Sequence, residues 1–107
     1  MAGFDAVLRL GDELPDWLPI VEACLKEERR TQGSGFCGRW VLNDLTRDNW
    51  PGLPYGTTTA PWFPGLGMLV RRGILRHRST SRAGGRAYYT MPDPEGVERA
   101  LRELSRR

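Results

Sequence analysis

The chain has 107 residues, of which 39% are hydrophobic and 27% are charged, so it is long enough for one folded domain and too short for two. No apolar run approaches the roughly 20 residues that cross a bilayer, and the N-terminus lacks the pattern of a signal peptide, so we expect a cytoplasmic protein with no membrane partner. The net charge of +3 is unevenly distributed along the chain.

The basic excess is confined to the middle of the sequence. Residues 1–48 hold nine acidic and six basic side chains, residues 93–107 hold four of each, and residues 49–92 hold six arginines and no acidic residue. Nearly all the basic residues are arginines, whose planar guanidinium groups suit phosphate. Such a concentration of uncompensated arginine indicates a site for a polyanion, and a solvated basic surface without a ligand is the simpler alternative.

Two amphipathic helices are predicted in the first half of the chain. Before them, residues 4–10 are ambiguous, since their apolar positions fit either a strand or a helix. The first clear helix is expected from an N-cap at Asp16 to a stop at Gly33, with Glu27 and Glu28 off its apolar face. A second helix is expected over residues 36–48, capped by Ser34. The apolar positions of the first helix are Trp17, Ile20, Val21, Cys24 and Leu25.

A Pro- and Gly-rich segment separates these helices from a third one. Residues 49–59 are predicted to form a loop, and the third helix is expected between the threonines at 57–59 and Gly73. Pro64 does not fit the interior of a helix, so we expect either a kink or a fresh helix start there. Trp50 and Trp62 either pin this segment to the core or form an aromatic patch for a partner.

A β-hairpin and a last helix complete the predicted order. The stretches ILRHRST and RAYYTM are strand-like, and Gly84 and Gly85 between them supply the positive φ of a turn. Tyr88 and Tyr89 should point to opposite faces, one of them toward the core. Asp93 is expected to cap a helix over about residues 93–106. The predicted fold is α+β and mostly helical: one domain over residues 1–107, with three helices, a hairpin at about 74–91 and a C-terminal helix.

The second half of the chain resembles a known family. The pattern L-x-x-L-V-x-x-G-I-L from Leu66 to Leu75, followed by a short hairpin that ends in R-A-Y-Y-T-M-P-D-P-E-G-V, resembles the winged helix-turn-helix transcription factors of the PadR and MarR groups. The resemblance covers roughly residues 57–101. It implies a winged helix that binds double-stranded DNA, with the third helix in the major groove and the hairpin, or wing, on the backbone or in the adjacent minor groove.

The resemblance also implies which residues contact DNA. The N-terminal part of the third helix would face the groove, the wing would contact phosphates, and two arginines flank the end of the helix. The groove-facing residues are Thr57, Thr58, Thr59 and Trp62, the wing residues are Arg76, Arg78, Arg82 and Arg86, and the flanking residues are Arg71 and Arg72.

The sequence contains no pattern typical of a catalytic or metal site. His77 is the only histidine and has no carboxylate or second histidine near it in sequence. Cys24 and Cys37 lack metal-type spacing and are interpreted as buried, reduced thiols. P-loop, nucleophile-elbow and HExxH motifs are missing. We therefore expect no enzymatic activity, no cofactor and no metal.

These observations predict a small winged-helix DNA-binding protein that regulates transcription. A homodimer is expected because two-fold regulators bind two half-sites. Its interface would be the N-terminal segment or the C-terminal helix, where the apolar positions are Val97, Ala100, Leu101 and Leu104. A winged helix that binds another protein through the Trp50–Pro64 loop, with little DNA binding, is the alternative. RNA binding by the same basic surface is a third hypothesis.

Overall fold

The structure of the protein is a computed structural model that describes residues 2–47, 66–80 and 87–107. In chain order its elements are helix α1 (Ala2–Glu13), a 3-10 turn (Pro15–Trp17), α2 (Leu18–Thr31), strand β1 (Phe36–Cys37), α3 (Gly38–Arg47), α4 (Gly67–Arg71), β2 (Arg76–Thr80), β3 (Ala87–Thr90) and α5 (Pro94–Ser105). The predicted class, α+β and mostly helical, is confirmed, and the strands form a small antiparallel sheet.

The ambiguous N-terminal segment is a helix. α1 packs along α5 and against α2. Val7 and Leu10 lie three residues apart and are fully buried in the core. The segment forms a helix and not a strand because helical spacing places both side chains on one face. The alternating strand pattern would have divided the apolar residues between two faces.

The start of α2 differs from the prediction. Asp16 lies within the 3-10 turn, and the helix begins one residue later than predicted, with Trp17 at the N-cap position and no side-chain cap. Pro19 falls in the first turn as expected, where its missing N–H leaves no helical hydrogen bond unmade. At the other end Gln32 adopts the left-handed conformation, with φ 52°, and its N–H donates to the carbonyl of Glu28. The helix thus ends beside Gly33, as predicted.

A short strand stands where the second helix was expected to start. Phe36 and Cys37 form β1 and pair with Tyr89 and Tyr88 of β3, and α3 begins only at Gly38. Ser34 does not cap α3, since its hydroxyl donates to the carbonyl of Thr31. The predicted cap was wrong because pairing with a strand about 50 residues away overrides the local helical pattern.

The sheet has the order β1–β3–β2, with all neighbours antiparallel. The predicted hairpin is confirmed for its two strands, and its turn, residues 81–86, lies outside the described residues. His77 pairs with Tyr89 and Ser79 with Tyr88, which leaves Arg78 as an extra residue in a β-bulge. β2 is the edge strand of this sheet and is exposed along its whole length.

The third helix is short: α4 begins at Gly67, with Leu66 at its N-cap position. α4 ends at Arg71, and Gly73, with φ 79°, donates its N–H to the carbonyl of Val70. The predicted stop at Gly73 is therefore confirmed. The expected start of this helix near residues 57–64, with Pro64 and the two tryptophans of that segment, lies outside the described residues.

The core is built from α1, α2, β1, α3, α4 and α5 and contains three buried carboxyl groups. Glu27 and Glu28 were predicted to lie off the apolar face of α2, and they are nevertheless only 3% and 9% exposed. They are buried because other elements pack against α2 on more than one side. The Glu28 carboxylate accepts a hydrogen bond of 2.8 Å from the buried N–H of Met91. Asp44 of α3 is 4% exposed. The fully buried side chains include Val7, Leu10, Ile20, Val21, Cys24, Phe36, Val41, Leu69 and Val97.

α5 begins as the sequence predicted. Asp93 Oδ1 accepts a hydrogen bond of 3.2 Å from the N–H of Gly96, and Pro94 occupies the first position of the helix. Val97 and Ala100 are completely buried in the core of the same chain. They therefore have no surface to offer to a second copy, which removes them from the predicted dimer interface. Leu101 and Leu104 are half-buried against the core.

Candidate nucleic-acid interface

The edge strand β2 presents two arginines to solvent. Arg76 and Arg78 are exposed, because β2 pairs with β3 on one side only and no residue of β2 contributes to the core. Among residues 2–47, 66–80 and 87–107, neither arginine forms an ion pair. Both guanidinium groups thus keep their full charge for an external anion.

The bulge and a glycine position Arg78. Gly35, in the loop between α2 and β1, has φ 111°, and a Cβ atom at this position would lie 3.2 Å from Cδ of Arg78 and 3.5 Å from Cβ of Tyr88. The aliphatic part of Arg78 therefore lies over the backbone of Gly35. A bulge turns the side chain of its extra residue away from the regular alternation of the strand, and here the glycine leaves room for it.

The two tyrosines of β3 face opposite sides of the sheet, as predicted, and the structure identifies the inner one. Tyr89 packs against the core, and its burial raises the pKa of its phenol. His77 packs its ring edge-on against Tyr89, with centroids 5.9 Å apart, and its Nε2 lies 3.0 Å from the hydroxyl of Thr80. Tyr88 is the outer tyrosine and contacts Trp40 of α3, with ring centroids 5.9 Å apart and planes at 70°.

The outer tyrosine belongs to a cluster that the sequence analysis missed. The Arg30 guanidinium lies 5.0 Å from the centroid of the Trp40 ring, and Trp40 in turn contacts Tyr88. Nε and Nη2 of Arg30 donate to Oε1 of Glu27 at 2.9 and 2.7 Å. The side chain of Arg30 is 57% exposed, so it is fixed in place and still open to solvent. We call these residues the Arg30–Trp40–Tyr88 cluster.

Only part of this cluster could be predicted from the sequence. Glu27 and Arg30 are three residues apart on a helix, a spacing that brings opposite charges together. The contact between Trp40 and Tyr88 joins residues 48 positions apart, and no local pattern predicts such a pair. Trp40 is half-buried at the edge of the core.

The buried carboxylate of Glu27 stays ionised beside this cluster. Burial alone would raise its pKa, but hydrogen bonds from Asp44 and Arg30 lower it below its ordinary value. The neighbouring thiol of Cys24 has the opposite environment: burial, and then the nearby carboxyls of Glu27 and Asp44, raise its pKa far above the usual range. Cys24 and Cys37 are both buried free thiols, as predicted.

The two arginines at the end of α4 have different surroundings. Nη1 of Arg72 forms an ion pair of 2.8 Å with Oε1 of Glu13 on α1, so part of its charge is neutralised. Arg71 is exposed, and it has no ion pair with any residue of the described segments. Both border a cavity of about 480 Å³ that they share with Asp5, Arg9 and Glu13 of α1. Of the two, Arg71 is therefore the one whose charge is not neutralised within the described segments.

Several predicted contact residues lie outside the described residues. These are the groove-facing set and the two wing arginines nearest the turn, namely Thr57, Thr58, Thr59, Trp62, Arg82 and Arg86. The structure brings Arg78 close to Tyr88 through Gly35, whereas Arg72 is directed to α1.

Within the described segments, no group of three or more His, Cys, Asp or Glu side chains has the arrangement of a metal site. None of their helices is long and apolar enough to span a bilayer. Comparisons of the chain with protein-family models, with curated proteins and with solved structures found no match.

Proposed function

We propose that the protein is a winged-helix DNA-binding protein that regulates transcription in the cytoplasm and has no enzymatic activity. The element order supports this proposal: α2, β1, α3 and α4 precede a hairpin whose second strand pairs with β1. α2, α3 and α4 would be the three core helices, and β2 and β3 would be the wing. On this interpretation the short helix α4 occupies the place of the third helix, which would approach the major groove.

The observation that carries the proposal is the exposed edge strand β2, whose two arginines form no ion pair with the residues that the structure describes. A cation that neutralises a phosphate releases a counterion from the duplex, so each arginine adds affinity that declines with salt. Arg76 and Arg78 have the exposure and the charge for this role. The Arg30–Trp40–Tyr88 cluster adds a fixed guanidinium over Trp40, and its Tyr88 lies near Arg78 at Gly35. Phosphate contacts of this kind position a protein on DNA without reading its sequence.

The decisive experiment measures binding to random duplex DNA by fluorescence anisotropy at about 50 and 200 mM salt. We expect wild type to bind and to lose affinity with salt. The double variant Arg76→Ala, Arg78→Ala should bind more weakly, with a slope of log K against log salt that is less negative by roughly 0.9 for each lost contact. The control Arg99→Ala, Arg106→Ala removes the same charge from exposed positions, one on α5 and one at its C-cap, and should bind like wild type.

A second function has one observation in its favour. The half-exposed Trp40–Tyr88 pair with Arg30 above it is also suited to an acidic protein partner, since aromatic and arginine side chains dominate protein interfaces. No binding of wild type to duplex DNA at 50 mM salt would contradict the first function and support this one. Equal losses in both double variants would show that total charge, and not the wing, drives binding. Duplex RNA as a competitor tests the third hypothesis.

A further inference from the structure

The Arg30–Trp40–Tyr88 cluster offers two aromatic rings that are only half-buried. Tyr88 of β3 and Trp40 of α3 meet edge to face, with centroids 5.9 Å apart, and both keep part of their surface open to solvent. Arg30 lies over Trp40, 5.0 Å from the ring centroid, with 57% of its side chain exposed. The cluster is therefore a π-rich surface at the edge of the core, and its rings have contact area left for a flat ligand.

The cluster carries little net charge. Nε and Nη2 of Arg30 donate to the same carboxylate oxygen of Glu27, at 2.9 and 2.7 Å, so the positive charge of the guanidinium is balanced within the protein. Glu27 is only 3% exposed, which holds this pair in place. The cluster thus contributes less to phosphate binding than an unbalanced arginine does, and what it adds is the surface of its rings and of its guanidinium plane.

Arg78 brings an unbalanced cation to the same surface. Cδ of Arg78 and Cβ of Tyr88 lie 3.2 and 3.5 Å from the position that a Cβ atom of residue 35 would occupy, so the two side chains approach each other across Gly35. Arg78 is exposed, and it forms no ion pair with any residue that the structure describes. An exposed cation and a nearly neutral aromatic surface therefore lie side by side.

We propose that the cluster holds an unpaired base of DNA, while Arg78 binds a phosphate next to that base. A nucleotide has the same two parts, because its base is flat, uncharged and rich in π electrons and its phosphate is an anion. The bases of an intact duplex are covered by their neighbours, so only an unpaired base can stack on a protein side chain. An acidic peptide would use Arg78 and leave the rings without a flat partner.

This inference rests on the proposed function and narrows its substrate. The wing would contact the phosphates of the duplex, and the cluster would take a base from a single-stranded end next to it. The protein should therefore prefer duplexes with unpaired nucleotides over blunt ones.

Fluorescence anisotropy tests the preference with one duplex in three forms: with blunt ends, with an overhang of about five thymidines, and with an abasic overhang of the same length. The two overhangs carry the same phosphates, so a difference between them reports the bases alone. We expect thymidines on the 5′ or the 3′ ends to bind at least about fivefold more tightly than the abasic form, the lower limit for a base on an aromatic side chain. Equal affinities at both ends would overturn the proposal.

Variants assign the effect to the cluster. Tyr88→Leu and Trp40→Leu each remove one ring and should bring the ratio of the two affinities toward one, whereas Tyr88→Phe keeps a ring and should retain the ratio. Trp17→Leu is the matched control, because Trp17 is also half-buried but lies at the opposite end of α2 from Arg30. Thermal unfolding verifies that each variant is folded. A ratio that is unchanged in the folded ring variants would place the base elsewhere and refute the proposal.

The salt dependence separates the role of Arg78 from that of the rings. With the thymidine overhang, Arg78→Ala should make the slope of log K against log salt less negative by roughly 0.7 to 0.9, because one phosphate contact is lost. Tyr88→Leu should not change this slope, since stacking of a base releases no counterion. A slope that responds to Tyr88→Leu and not to Arg78→Ala would contradict the two assigned roles.

Failure of this site and failure of the proposed function give different results. Binding of the blunt duplex without any gain from thymidines would refute the base site alone and leave the cluster for a protein partner. No binding of the blunt duplex would contradict the proposed function, and a preference for thymidine over abasic single strands would still support the site. A uridine ribonucleotide overhang that binds more tightly than the thymidine overhang would overturn the choice of DNA.

Discussion

Glu28 connects α2 to the end of the wing. Its Oε1 accepts the hydrogen bond of the buried N–H of Met91, which immediately follows β3, across a sequence separation of 63 residues. A backbone N–H shielded from water needs an acceptor, because an unmade hydrogen bond inside a protein costs about 1–3 kcal/mol. The Glu28 side chain thus has a structural role, which the sequence does not reveal because a charged residue is usually expected at the surface.

We predict that Glu28→Ala lowers the free energy of unfolding by about 2–3 kcal/mol, because it removes the acceptor and leaves the Met91 N–H unsatisfied. Glu28→Gln keeps a carbonyl oxygen of similar reach and should cost about 1 kcal/mol or less. Urea unfolding measures both. Glu22→Ala, at an exposed position of the same helix, is the control and should change the free energy by about 0.5 kcal/mol at most. A Glu28→Ala effect no larger than that of Glu22→Ala would show that Met91 finds another acceptor.

α2 and α5 are joined at their surfaces by an ion pair. Arg29 of α2 forms two hydrogen bonds with the carboxylate of Glu98 on α5, and Arg102 approaches the same carboxylate at 3.2 Å from one turn later in α5. Arg29 and Glu98 are 69 residues apart in sequence, so no local pattern predicts this contact. It exists because the packing of α5 on α2 places the two helices side by side.

This pair predicts a specific dependence on pH. The hydrogen bond from Arg29 holds the pKa of Glu98 below its ordinary value. Because the folded pKa is the lower one, the stabilisation is complete above the unfolded pKa and is lost as pH falls through the folded pKa. NMR titration of the side-chain carboxyl should show that Arg29→Ala raises the pKa of Glu98 toward its ordinary value. Arg102→Ala should have a smaller effect, and a larger effect than that of Arg29→Ala would contradict the assignment.

At the level of elements, the sequence predicted what local chemistry determines. The cap at Asp93 and the stop at Gly73 depend on residues within one turn, and both were correct. The strand at Phe36 and Cys37 and the burial of Glu27 depend on partners far away in sequence, and both were missed. The same distinction applies to the candidate site. Arg76 and Arg78 were predicted from the local sequence, whereas Arg30 could not be, because its position depends on its distant neighbours Trp40 and Tyr88.

At the scale of the molecule, the basic residues that are concentrated in the middle of the sequence are also concentrated in one part of the fold. The described part of the basic middle segment, residues 66–80 and 87–92, forms α4 and the wing strands, while α1, α2 and α5 carry most of the acidic residues. The acidic side chains pair mainly with arginines outside the wing, as in the pairs of Glu13, Glu27 and Glu98. The wing strands are left without such partners among the described residues.

The last prediction concerns the assembly of two copies. A two-fold dimer doubles the number of phosphate contacts on two half-sites, so we expect a mass of roughly 24 kDa by sedimentation equilibrium, twice that of one chain. Val97 and Ala100 are internal, so an interface on the helical side must use half-buried Leu101 or the N-terminal segment, where Leu14 is exposed. Leu14→Glu or Leu101→Glu should shift the mass to that of a monomer, and the variant that does so identifies the interface. A wild-type protein that stays monomeric at the highest concentration measured would rule out the dimer and require each chain to bind DNA alone.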